Sequence, residues 1–198
     1  MSQPSSNDPQ LPPIELSSSE QLIIVAIAVL EQAVDLVEGS LQNDSQLTFA
    51  STLIPGSTIG KHLRHARDHF ALLLDGMERE VKPCRVSYDV RARNTPMEGS
   101  RSSAVQALQD TIQRLRNLKI NDIDDELTLD AITPYPQTLK SSVGRELWFG
   151  SLHAIHHWSM VRVVAGEMGI VIEPTFGVAP STLLYRELQP SSGAKARF

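Results

Sequence analysis

The chain has 198 residues, 41% of them hydrophobic and 21% charged, and a net charge of −5. Those values describe one soluble globular domain; the acidic balance excludes the basic stripe that nucleic-acid binding calls for. One cysteine, Cys84, excludes an intrachain disulfide or a zinc–thiolate cluster, and the longest apolar run, Leu22 to Leu30, is far short of the roughly 20 residues that span a bilayer. No secretory signal is read at the start, so a cytoplasmic protein is expected.

Residues 1–17, rich in Pro, Ser, Gln and Asn, are expected to be disordered. Ser17-Ser18-Ser19 offers a cap for a first helix, in which Leu22, Val25, Ala26, Val29, Leu30, Ala33, Val34 and Val37 recur at three- and four-residue steps. Gly39 is placed to end it. A second helix is predicted from Thr58 to about Glu80, capped by Ser57, with Leu63, Ala66, Phe70, Leu73 and Leu74 as its buried stripe. Pro83 stops that helix, and a long loop without clear period runs to Ser100. A third helix follows from Ser102 or Ser103 to about Leu118. Residues 119–138 hold acids and two prolines, with room for a short strand or turn around Leu127–Ile132. The fourth helix runs from about Ser142 to Met168, closed by Gly169. From Val171 onward an extended cover is expected, with 186–198 as a flexible tail. Four striped helices joined by long connectors read as an all-α bundle spanning 18–185.

The six histidines fall in two tight groups, His62, His65, His69 and His153, His156, His157. On a helix the first group fits within roughly 60° of one face and the second within roughly 100°. His153 and His157 stand one turn apart, a spacing that can aim two imidazole nitrogens at one metal. A third histidine from a facing helix completes a three-nitrogen site with an open position. Nitrogen donors point to Zn, Ni, Fe or Cu rather than Mg or Ca, and the absence of any Glu-x-x-His disfavours a di-iron carboxylate bundle. Six satisfied packing histidines are the competing account.

Thr58-Ile59-Gly60-Lys61-His62-Leu63-Arg64-His65 resembles the second-helix segment of the DinB-like metalloenzyme superfamily, in which the last residue is a metal-binding His. Leu152-His153-Ala154-Ile155-His156-His157 resembles its later His-x-x-x-His motif. Ser87-Tyr88-Asp89-Val90-Arg91-Ala92-Arg93, Gly144-Arg145-Glu146-Leu147 and Phe176-Gly177-Val178-Ala179-Pro180-Ser181-Thr182 are similar to an uncharacterised subgroup of that superfamily. The resemblance implies His65, His153 and His157 as ligands of a divalent metal (Zn, Ni or Fe), on an up-up-down-down four-helix bundle. It further implies a low-molecular-weight thiol as cosubstrate, because the best known thiol-dependent members are isomerases and transferases. Where many members carry Arg-Gly-Gln after the later His pair, this chain has Trp158-Ser159-Met160.

Thiol S-transfer to a small molecule is the favoured activity. Metal-dependent hydrolysis and a non-catalytic metal- or ligand-binding stress-response bundle are the alternatives. His62, His69 and His156 are candidates to orient the ligands. Glu146, two turns before His153, is a candidate base or orienting carboxylate, with a salt bridge to Arg145 as the competing role. Tyr88, Arg91 and Arg93 are candidates to fix an anionic substrate. A small-molecule substrate is the expected partner, without nucleic acid or membrane, and a homodimer is left open.

Overall fold

The computed structural model describes residues 16–79, 83–90 and 92–188. Most of the termini assigned above to disorder and to a tail (1–15 and 189–198) lies outside the described residues, as does Arg91. Helix α1 (Ser18–Asp35) opens on a capping box: the Ser17 hydroxyl accepts from Glu20 N at 3.3 Å, and the Glu20 carboxylate accepts from Ser17 N at 2.8 Å. Gly39 stands one residue before the end of the helical segment, which does not stop at Asp35. A π-helical turn (Leu36–Ser40) extends it, and the Arg101 guanidinium donates to the Val37 carbonyl within that turn and to the Gln42 carbonyl just beyond it.

A short helix α2 (Ser45–Thr48) precedes α3 (Ile59–Glu78), whose cap is Thr58, accepting from Lys61 N at 3.1 Å. Strand β1 (Cys84–Val86) and a 3-10 turn (Pro96–Glu98) follow; then come α4 (Arg101–Asn117), strands β2 (Glu126–Ile132) and β3 (Pro136–Ser142), α5 (Val143–Glu167) and α6 (Pro180–Leu188). The molecule is thus mostly helical with a small three-stranded sheet. Helix α1 packs on α4 and α5, and α3 packs on the same two.

The sheet corrects the all-α expectation. β2 and β3 form an antiparallel hairpin in register from Glu126↔Ser142 to Ile132↔Pro136, and β1 adds to β2 in parallel. Only Leu127 of β2 is fully buried, and most of β3 is exposed. A strand whose side chains face water on both sides shows no hydrophobic alternation, because its partner is chosen by backbone pairing and turn geometry. Residues 180–188, expected as extended cover to 185 and as tail from 186, form α6 instead. Pro180 occupies a first-turn position that needs no donor, and Ala179 O accepts from Thr182 N and Leu183 N.

The core gathers Ala26, Val29, Leu30 and Ala33 of α1 with Leu63, Phe70, Leu73 and Leu74 of α3, Leu108 and Leu115 of α4, and Leu147, Ala154, Trp158 and Val161 of α5. Trp158 is 0% exposed, and its indole donates to Val29 O at 3.0 Å, tying α5 to α1. Two glycines set the approach of α5. A Cβ at Gly144 would lie 2.8 Å from Ile123 Cβ, and one at Gly150 would lie 3.3 Å from the Phe70 ring. Gly144 admits the chain at Ile123, and Gly150 lets α5 lie close to α3, the helix that carries the other three histidines.

Candidate metal centre

Helices α3 and α5 face each other through their histidines. His65 comes from the middle of α3; His153 and His157 come from successive turns of α5. His153 Nε2 lies 3.1 Å from His65 Nε2, and His157 Nε2 lies 3.1 Å from His153 Nε2. One ligating atom from each residue falls within 4.8 Å of the others. A tetrahedral zinc with Zn–N near 2.0–2.1 Å holds its ligands roughly 3.3–3.4 Å apart, so this nitrogen set is close to the spacing an ion needs. The residues fit a metal.

The electrostatics suit the same role. His157 is almost enclosed, and burial, reinforced by the neighbouring imidazoles of His65, His153, His62 and His156, pushes it down from 6.5 to about 2. It is therefore neutral at physiological pH, the state in which an imidazole nitrogen offers a lone pair to a cation.

The other three histidines differ in placement. His62, one turn before His65, is buried, and its Nδ1 lies 2.8 Å from His157 Nδ1. Burial, then His156, lowers its pKa. His69 donates from Nδ1 to the backbone carbonyl of His65 at 3.0 Å, since a carbonyl can only accept. Its ring stacks on Tyr88 (centroids 4.6 Å apart) and lies 4.0 Å from that of His153. His156 faces outward, its ring 5.2 Å from His157.

Glu146 is 1% exposed and lies under the loop that carries Tyr88. Its Oε1 accepts from Ser141 at 2.6 Å and from Arg145 at 3.0 Å; its Oε2 accepts from the Tyr88 hydroxyl at 2.9 Å. The carboxylate thus joins β3, α5 and the loop after β1. Burial, then the Glu146 charge, raises the Tyr88 phenol well above its ordinary value, so it stays protonated. Arg93 is exposed, away from these contacts. The neighbouring Asp89 accepts from Ile132 N at 2.8 Å, which pins the loop to the hairpin.

Two contributors escaped the reading of the sequence. Phe149 stacks on His153 with ring centroids 5.5 Å apart, and the Arg145 guanidinium carbon lies 4.9 Å from the centroid of the Phe149 ring as a cation over it. It stands one turn before His153, so the i, i+4 rule applied to the histidine face would have found it. Ser141 gave no such signal, because the hairpin register alone brings it to Glu146.

A family model described as the DinB superfamily matches residues 26–161. A relative named FK506-binding protein 5, from Rhizopus delemar, is 33% identical over 171 residues; the alignment covers 83% of this chain but 38% of that protein. The chain therefore spans about two-fifths of that relative's length, at 38%. No solved structure matches.

Proposed function

The chain belongs to the DinB superfamily, and from that premise we propose that it is a three-histidine metalloprotein whose centre acts on a small molecule, by thiol S-transfer. The observation that carries the metal is the cluster of His65, His153 and His157 ligating atoms within 4.8 Å of one another. Three imidazole nitrogens favour Zn, Ni or Fe over the harder cations. When bound there, a divalent ion supplies Lewis acidity to the ligand in its open position.

The residues around the triad favour a thiol over water as the nucleophile. Glu146 has both oxygens engaged by Ser141, Arg145 and Tyr88, so it acts as an orienting group rather than a base. Tyr88 keeps its proton, and His69 is anchored to the His65 carbonyl. A thiol, with a pKa of about 8.5 against 15.7 for water, needs the least help from such a site. In the transfer the thiol sulfur forms a bond to an electrophilic carbon, the bond from that carbon to its leaving group breaks, and the S–H proton departs with that group. Phe149 and the stacked Tyr88–His69 pair flank the centre, with Phe149 on the His153 ring and His69 beside it.

The pairing of α1 and α3 with the same two helices, and not with each other's sequence neighbours alone, supports an up-up-down-down four-helix bundle, because diagonal partners require long crossings. No described helix is long and apolar enough to cross a membrane. The single cysteine of the chain, which is buried, favours a cytoplasmic setting.

The test is elemental analysis of the purified protein beside His65→Ala, His153→Ala and His157→Ala, with circular dichroism to confirm folding. About one first-row metal per wild-type chain, lost from all three folded variants, is expected. A screen of thiols with electrophiles then follows. Metal without turnover of any pair supports a non-catalytic binding role. Wild type that holds no metal and takes none up from zinc, nickel or iron solutions overturns the proposal.

A further inference from the structure

Resting on the three-histidine reading above, we propose that His62 is a positioning residue that fixes the tautomer of His157 and so turns its Nε2 lone pair toward the triad. Two imidazole nitrogens 2.8 Å apart, His62 Nδ1 and His157 Nδ1, require that one donate and the other accept. The opposite nitrogen of the same His157 ring lies 3.1 Å from His153 Nε2, on the triad side. The two arrangements of the shared proton therefore have opposite consequences. If His157 donates, its proton is on Nδ1 and its Nε2 is bare, ready to ligate. If His62 donates, the His157 proton sits on Nε2 and closes that nitrogen to a cation.

A metal bound at Nε2 selects the first arrangement, with His62 Nδ1 as acceptor and the His62 proton on Nε2. That second nitrogen is itself informative. His62 is 9% exposed, and its Nε2 is enclosed with no hydrogen-bond partner among the described residues. An enclosed nitrogen of this kind costs stability, a cost that the bond between His62 Nδ1 and His157 Nδ1 offsets. The helix geometry makes the arrangement specific to this position. His62 precedes His65 by three residues, so it shares the α3 face turned to α5 and reaches His157 one layer along from the His65–His153 contact.

The experiment is zinc affinity, measured by competition with a chromophoric chelator, for wild type, His62→Leu and His62→Gln. Leucine keeps bulk but removes the acceptor, whereas the glutamine carbonyl restores one. The expected result is a zinc Kd raised roughly 10–100-fold in His62→Leu, with most of that loss recovered in His62→Gln. In zinc-loaded wild type, long-range proton–nitrogen NMR should place the proton of His157 on Nδ1 and that of His62 on Nε2. Folded His62→Leu that binds zinc like wild type, or equal loss in both variants, overturns the proposal. So does a zinc-loaded wild type with the His62 proton on Nδ1, a readout that decides the matter even where a variant does not fold. Wild type that binds no zinc under any loading condition sinks the three-histidine reading together with this one. Zinc binding unaffected by His62→Leu sinks this one alone.

Discussion

Replacing Glu146 with alanine removes the acceptor for three donors at once, two of them held in a half-buried setting. Hydrogen bonds to a charged partner contribute about 1.5–3 kcal/mol each. The Tyr88 and Ser141 bonds, at 2.9 and 2.6 Å, fall in that class. The Arg145 contact adds little, because its side chain is 53% exposed and can be rehydrated. Against these losses stands the recovered cost of burying a carboxylate that is only 1% exposed. The net expectation for Glu146→Ala is about 2–4 kcal/mol of destabilisation, and for Tyr88→Phe about 1–2 kcal/mol. The decisive quantity is their coupling. Urea unfolding of wild type, both single variants and the double variant should give a double-mutant loss smaller than the sum by about 1–2 kcal/mol. A coupling below about 0.5 kcal/mol would refute the view that Glu146 holds Tyr88 in place. Tyr88→Phe keeps its ring on His69, so the same variant is expected to take up zinc as the wild type does.

Two further outcomes follow from packing and protonation. In Gly60→Ala the new Cβ would meet the Glu98 backbone, 2.1 Å from its oxygen and 2.7 Å from its carbonyl carbon. Helix propensity alone predicts a gain of about 1 kcal/mol, whereas the clash predicts a loss of about 1–3 kcal/mol; a lowered melting temperature is expected, and an unchanged or raised one contradicts the close approach. The metal-free protein should also lose stability in mild acid. His157 has a folded pKa of about 2 against 6.5 unfolded, and His62 is shifted the same way. The unfolded chain therefore binds more protons below about pH 6.5, so stability is full above that value and falls as the pH drops toward the folded pKa. Each such group contributes at most about 1.4 kcal/mol per pH unit. Unfolding free energies from urea titrations at pH 7.5 and 5.5 should differ by about 1–2 kcal/mol in that direction, and equal values would falsify the assigned burial.

Much of this protein was legible along the chain. Apolar residues at three- and four-residue steps predict the long helices, because a helix has to hide one face whatever it packs against. Histidine spacing also placed His62, His65 and His69 on one face and His153 and His157 a turn apart, since intrahelical geometry is local. The hairpin of β2 and β3 was not legible as such: its outer strand is exposed, and exposed strands carry no burial signal. Nor could sequence show that Glu146 would be taken up by Ser141 and Tyr88, residues brought to it by strand register and by a loop 58 positions away. The pairing of His62 with His157 crosses 95 residues and depends on how closely α5 lies on α3, which Gly150 against Phe70 permits. Sequence by itself determined which residues share a helical face, because that follows from a fixed backbone period. Which faces meet, and which nitrogen of each ring meets which, was decided by tertiary packing, because contacts across the core depend on the summed shape of side chains far apart in the chain.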